Sequence, residues 1–219
     1  SFRSGEPLAK RFRFRWKMDR TAKASPVRRG VIERSEDDGE VERGTTMALD
    51  AATLALTARE LKAALTEAKI AKIFEPTRDE LVLTLRTRTD TYSLLLSARS
   101  GSARVCLTEE SFENPETPPS FCMLMRKHLT GGKLLDVRME PGDRIVYFEF
   151  QCTNEMGDLV RNILCAELMG RYSNLVLVQN GKIIDALKRV DFEDSDVRQL
   201  LPGLPYTTCL LYTSDAADD

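Results

Sequence analysis

Alternation constrains this chain most. In Glu80–Arg86, Leu81, Leu83 and Leu85 alternate with Val82, Thr84 and Arg86, and Tyr92, Leu94 and Leu96 repeat the pattern. Successive side chains of a strand point to opposite faces, so a two-residue period marks a strand with one face in a core. Further strand-like runs are Arg104–Thr108, Lys133–Met139, Arg144–Cys152, Leu159–Met169, Asn174–Val178 and Lys182–Val190. Lys69–Glu75 reads as the first strand, stopped by Pro76. Thr77-Arg78-Asp79 and Gln179-Asn180-Gly181-Lys182 carry hairpin-turn chemistry.

Two stretches follow a helical period instead. Leu54, Ala58, Leu61, Leu65 and Ala68 predict a helix ending near Ala68, with Asp50 as its cap. Asn114-Pro115-Glu116-Thr117-Pro118-Pro119 is a rigid loop. After it Ser120 can cap a helix over Phe121–Leu129, and Gly131-Gly132 stops that helix. The predicted class is α+β: a strand-rich sandwich or barrel-like sheet pair flanked by helices.

The regular pattern does not cover the whole 219-residue chain. Residues 1–46 run from a basic block (Arg3, Lys10, Arg11, Arg13, Arg15, Lys17, Arg20, Lys23, Arg28, Arg29) into Glu36-Asp37-Asp38-Gly39-Glu40, with no sustained period. They read as a non-native or disordered upstream extension, or else as a basic RNA-binding arm. Met47 is the expected start of the domain, which runs over 47–206. The tail 207–219 resembles a translated sequencing adapter.

Several chemistries lack their residues. His128 is the only histidine, and no ligand spacing suggests a metal. No G-x-S-x-G, P-loop or dinucleotide-binding glycine pattern occurs, so no cofactor and no small-molecule substrate are expected. The five cysteines include no C-x-x-C pair and read as reduced thiols of a cytoplasmic protein. No apolar run reaches the roughly 18 residues of a membrane span.

Three places offer recognition chemistry. Met139-Glu140-Pro141-Gly142-Asp143-Arg144 is a tight bend that presents Asp143 and Arg144 at the sheet edge, either to RNA or as a local ion pair. Glu167-Leu168-Met169-Gly170-Arg171-Tyr172 joins an acid, a thioether, a base and an aromatic in one turn. There Met169 is either a base contact or a core residue. Arg126-Lys127-His128 is a basic cluster on the second helix, either touching RNA phosphate or facing solvent.

These segments resemble a known family. Asp79-Glu80-Leu81-Val82-Leu83-Thr84-Leu85-Arg86, the block from Phe112 to Leu129, Asp143-Arg144-Ile145, Glu167–Asn174 and Leu201-Pro202-Gly203-Leu204-Pro205-Tyr206 occur in the order of the N-terminal domain of the RqcH family, also called NFACT, fibronectin-binding-protein-A-like or, in eukaryotes, NEMF. The resemblance implies a non-catalytic factor of ribosome-associated quality control. Such factors bind the large ribosomal subunit obstructed by peptidyl-tRNA and recruit alanyl-tRNA for C-terminal alanine tailing. It also implies a fold similar to the N-terminal domain of formamidopyrimidine-DNA glycosylases. Asp143, Arg144, Glu167, Leu168, Met169 and Arg171 are the implied tRNA-binding residues. The Pro-Glu start of the glycosylases is missing at Met47-Ala48, which disfavours base excision. The family's helix-hairpin-helix, coiled coil and second RNA-binding domain have no counterpart in these residues. Two other readings are a fibronectin-binding surface adhesin and a glycosylase- or nuclease-like enzyme.

Overall fold

A computed structural model describes residues 51–140, 143–193 and 198–208. The expectations for residues 1–46, the Asp50 cap, the Pro141-Gly142 bend and the tail beyond Thr208 lie outside the described residues.

Helix α1 spans Ala51–Leu65. It stops short of Ala68 because Glu67 adopts a left-handed φ of 71°, and the chain then enters β1 (Lys69–Thr77). Strands β2 (Glu80–Arg86), β3 (Thr91–Ser97) and β4 (Arg104–Thr108) follow as a meander. Helix α2 spans Ser120–Leu129. The second meander is β5 (Lys133–Met139), β6 (Ile145–Thr153), β7 (Leu159–Glu167), β8 (Asn174–Gln179) and β9 (Lys182–Ala186). Pro76 does not stop β1, which continues to Thr77 and pairs with Glu80 across a register shift.

The sheet pair predicted from sequence is instead one antiparallel sheet. Its nine strands run β4-β3-β2-β1-β5-β6-β7-β8-β9. Every neighbour is also a sequence neighbour except β1 and β5, whose ladder contains one residue pair, Lys69↔Lys133. Flanking backbone bonds extend that seam: Ile70 N–H to Gly132 O at 2.9 Å, and Leu134 N–H to Ala68 O at 2.8 Å. A side chain at Gly132 would lie 2.6 Å from Cys152 Sγ and 2.9 Å from Leu129 O, so the close approach requires glycine. Elsewhere the Lys188 ammonium bonds Ala98 O at 2.7 Å and Asp79 Oδ1 at 2.9 Å, bracing the end of β9 against the first meander.

Both helices press on one face of the sheet. Leu54, Ala58, Leu61 and Leu65 of α1 face β5 and β4, and Phe121, Cys122, Met125 and Leu129 of α2 face β1, β6 and β9. They meet Leu83, Leu94, Val146, Phe148, Phe150, Leu164 and Leu177 in one large core. Burial of this apolar area is the main driving force for the fold. The opposite face of β6–β9 carries a second, smaller core: Ile145, Tyr147, Cys165, Val176, Val178 and Ile183. No helix covers it. Residues 198–206 do, through Leu200, Leu204 and Tyr206. That strap is held by Ile183 N–H to Leu204 O at 2.8 Å and Tyr206 N–H to Gly181 O at 2.9 Å.

Ser120 is not the cap of α2; it is the first helical residue, and Pro119 precedes it with no side-chain cap bond. Glu75 on β1 lies near this end of α2, where the Cys122 backbone N–H favours the charged form of its carboxyl. Burial pushes the Glu75 carboxyl above the usual range. One of its oxygens lacks a partner among the described residues.

Candidate functional site

The register of β6 against β7 pairs Ile145 with Glu167. One step beyond, Leu168 N–H donates to Arg144 O at 2.9 Å. The bend ending in Asp143-Arg144 and the turn after Glu167 therefore lie side by side. They sit at the end of two interior strands of the sheet, β6 and β7. Asp143 Oδ1 accepts the Arg144 backbone N–H at 2.7 Å. That bond fixes the last residue before β6 and leaves the Arg144 side chain without a hydrogen-bond or ion-pair partner among the described residues. Both residues are half-buried.

The second segment divides into an interior and an exterior part. Strand β7 ends at Glu167, not Met169. Leu168 is in the large core and Met169 in the outer core. Met169 thus takes the packing role that sequence had left open. At Gly170 the backbone turns left-handed, with φ 58°. The chain forms a short 3-10 turn over Gly170–Tyr172. Ser173 Oγ closes the turn on Gly170 O at 2.8 Å. The turn projects Arg171 and Tyr172 outward. The Arg171 guanidinium stacks 4.6 Å from the Tyr172 ring centroid and donates to its hydroxyl.

Glu167 is 1% exposed and occupied. Arg198 grips it with both terminal nitrogens, at 3.0 Å to Oε2 and 2.6 Å to Oε1. The Tyr206 hydroxyl donates to Oε1 at 2.8 Å. Arg198 also donates from Nε to Thr207 O at 2.8 Å and stacks 5.5 Å from the Tyr206 ring. Burial, with Cys165 and Glu167 alongside, pushes the Tyr206 phenol far up. Burial likewise takes the Cys165 thiol up to about 12, so neither group ionises at neutral pH. Sequence reasoning missed Arg198. Its one available signal was proximity to the Leu201–Tyr206 block, which resembles the close of the family's domain without pointing to Glu167.

Beside this end of the sheet lies an open groove of about 530 Å³ bordered by Arg138, Glu140, Tyr147, Cys165 and Tyr206. Arg138 is exposed and stacks 4.3 Å from the Tyr147 ring centroid.

The basic cluster on α2 does not join the site. Arg126 donates from Nε to Ile73 O at 2.9 Å and its guanidinium lies 5.9 Å from the Phe74 ring centroid. Lys127 pairs with Glu155 at 3.0 Å, in the β6–β7 hairpin turn. That turn is at the far end of β7, whose nine residues span about 27–30 Å at the usual strand rise. Burial and the Lys127 charge lower the His128 pKa, which keeps its ring neutral at pH 7. No group of three or more His, Cys, Asp or Glu able to hold a metal occurs among the described residues. No helix there is long and apolar enough to cross a membrane.

Residues 50–209 match the family model of the NFACT N-terminal and middle domains. The chain belongs to the NFACT family. Within that family it is 40% identical over 149 residues to the Rqc2 homolog RqcH of Streptococcus suis, covering 67% of this chain and 27% of that protein. The Rqc2 homolog RqcH of Bacillus subtilis is 37% identical over 149 residues, with 67% and 26% covered. The chain thus spans about a quarter of the length of these relatives. Among solved structures, the N-terminal domain of the fibronectin-binding protein PavA from Streptococcus pneumoniae aligns with a TM-score of 0.67 and 38% identity. That alignment covers 69% of this chain and 58% of that N-terminal-domain chain. The N-terminal part of the fibronectin/fibrinogen-binding protein FBPS from Streptococcus suis gives 0.68 and 38%, over 71% and 60%.

Proposed function

We propose that this NFACT domain is the tRNA-gripping part of a non-catalytic, cytoplasmic ribosome quality-control factor. The factor works on large ribosomal subunits obstructed by peptidyl-tRNA and recruits alanyl-tRNA for C-terminal alanine tailing. One observation carries the reading. The two loops that resemble the family's tRNA-binding motifs are joined by the Leu168–Arg144 hydrogen bond, and they carry two arginines, Arg144 half-buried and Arg171 exposed, that no carboxylate among the described residues neutralises. Arg144 and Arg171 can bind phosphate. Tyr172 beside Arg171 offers a ring for an unstacked base, the usual target in single-stranded RNA. Asp143 shapes its loop through the Arg144 N–H, while Glu167, Leu168 and Met169 act from the interior. Peptide-bond formation belongs to the ribosome, and the domain positions tRNA. The likeness to formamidopyrimidine-type glycosylases is part of this proposal as a likeness of fold alone.

The test is binding of the 219-residue chain to labelled alanine-accepting tRNA across a salt series, with duplex DNA as control. The expected result is salt-sensitive tRNA binding that Arg144→Ala combined with Arg171→Ala removes while the far-ultraviolet spectrum stays native. Undiminished binding by that variant would sink the reading. A second reading, fibronectin binding, is favoured by the names of the PavA and FBPS structures. Saturable capture of soluble fibronectin by the same chain, lost on unfolding, would support it.

A further inference from the structure

We infer that Arg198 and Tyr206 are positioning residues for the RNA-contacting turn: they act through the buried Glu167 carboxylate to hold Arg171 and Arg144 in register. The inference rests on the tRNA-binding reading of that turn and extends it to residues no comparison assigns.

Glu167 is unsuited to touch RNA. It is enclosed, its two oxygens take three hydrogen bonds, and an acid facing phosphate would repel it. Its place in the chain suits another task. Glu167 is the last residue of β7, and the next N–H, that of Leu168, is the one bonded to Arg144 O. Movement of Glu167 therefore shifts both loops together. A fork of two parallel N–H···O bonds fixes direction as well as distance. A buried ion pair adds little net stability over apolar packing, so orientation is the better account of this one. The fork itself is anchored. Arg198 Nε is tied to Thr207 O, Tyr206 N–H to Gly181 O, and Leu200 pairs with Val190. The strap is thus held along the sheet, from Gly181 at the far end of β8 to Val190, while its Arg198 and Tyr206 side chains meet β7 at the root of the turn.

The experiment uses the 219-residue chain and a labelled alanine-accepting tRNA transcript, with affinity measured over a range of potassium chloride concentrations. Arg171→Ala and Arg144→Ala report direct phosphate contacts, each lowering the salt slope by about 0.7–0.9. Arg198→Gln and Tyr206→Phe are expected to weaken binding about tenfold with the slope unchanged, because no phosphate contact is lost. Arg198→Lys is expected to recover part of the loss. Hydrogen exchange at the Leu168 amide should accelerate in both strap variants while that of Leu177 stays slow. If Arg198→Gln does not fold, Tyr206→Phe, which keeps the ring, decides alone. Wild-type affinity in both strap variants would overturn the inference and leave the RNA site standing. A reduced slope in Arg198→Gln would overturn it too, by making Arg198 a contact. Absence of tRNA binding by the unmodified chain would remove the site and the inference with it.

Discussion

Strand β7 buries both of its faces, and the two are covered by different means. Its inward residues Leu164 and Ala166, with Leu168 just beyond, join Phe148, Val146 and the helical side chains in a broad apolar core. Its outward residues Cys165 and Glu167, followed by Met169, lie under a strap without regular secondary structure. There one carboxylate gathers Arg198 and Tyr206. The inner cover is made of area and resists by many small contacts. The outer cover depends on a few directional bonds, and losing one partner leaves a charge stranded. A domain can thus keep its fold on one face while using the other to set the geometry of a loop.

The largest expected effect lies on the inner face. Phe148→Ala removes a fully buried ring and should cost about 3–5 kcal/mol, read as a lower denaturation midpoint. Hydrogen exchange at Leu168 should change only as far as global unfolding allows. Glu167→Ala should cost about 3 kcal/mol by stranding Arg198, and it should free the Leu168 amide well before the domain unfolds. Uniform exchange across β7 in both variants would erase the distinction between the faces. Tyr206→Phe removes one hydrogen bond to a charged group, worth about 1.5–3 kcal/mol, and thermal melts would read the loss.

Glu75 gives a smaller effect with a pH signature. Its folded pKa lies above the ordinary 4.5 because burial penalises the charge. The folded state therefore holds that proton more tightly than the unfolded chain. This contribution is fully present below the ordinary value and is lost as pH rises through the raised one. Glu75→Gln removes the buried charge and should raise the melting temperature at pH 7, with the gain vanishing below about pH 4.5. Least of all, Lys127→Ala breaks an exposed pair with Glu155 and should change stability by under about 1 kcal/mol.

Legibility in the sequence follows the same division. The two-residue period of Leu81, Leu83 and Leu85 and the helical spacing of Leu54, Ala58, Leu61 and Leu65 located their elements, because each reports burial on one regular face. Reading a sheet pair was the natural error. β6 and β8 are buried on both sides, which sequence credits to a second sheet when the cover is in fact an aperiodic strap. The Ser120 cap failed because the helix begins one residue earlier than the cap reading assumed, with Ser120 itself in the first turn. In the candidate site, the resemblance named two segments that the Leu168–Arg144 hydrogen bond brings together. The split between interior Glu167, Leu168, Met169 and exterior Arg171, Tyr172 depends on where β7 ends, and local pattern does not fix that.

The seam between β1 and β5 has a kinetic consequence. Within each meander every strand pairs with its sequence neighbour, so both can assemble through short loops. Joining Ala68–Ile70 to Gly132–Leu134 is the sheet's one distant closure, and it must bring together segments separated by three strands and a helix. Acquisition of the native state should be governed by that event. Gly132→Ala, which obstructs the seam at Cys152 and Leu129, is then a variant whose refolding slows while each half still forms its hairpins.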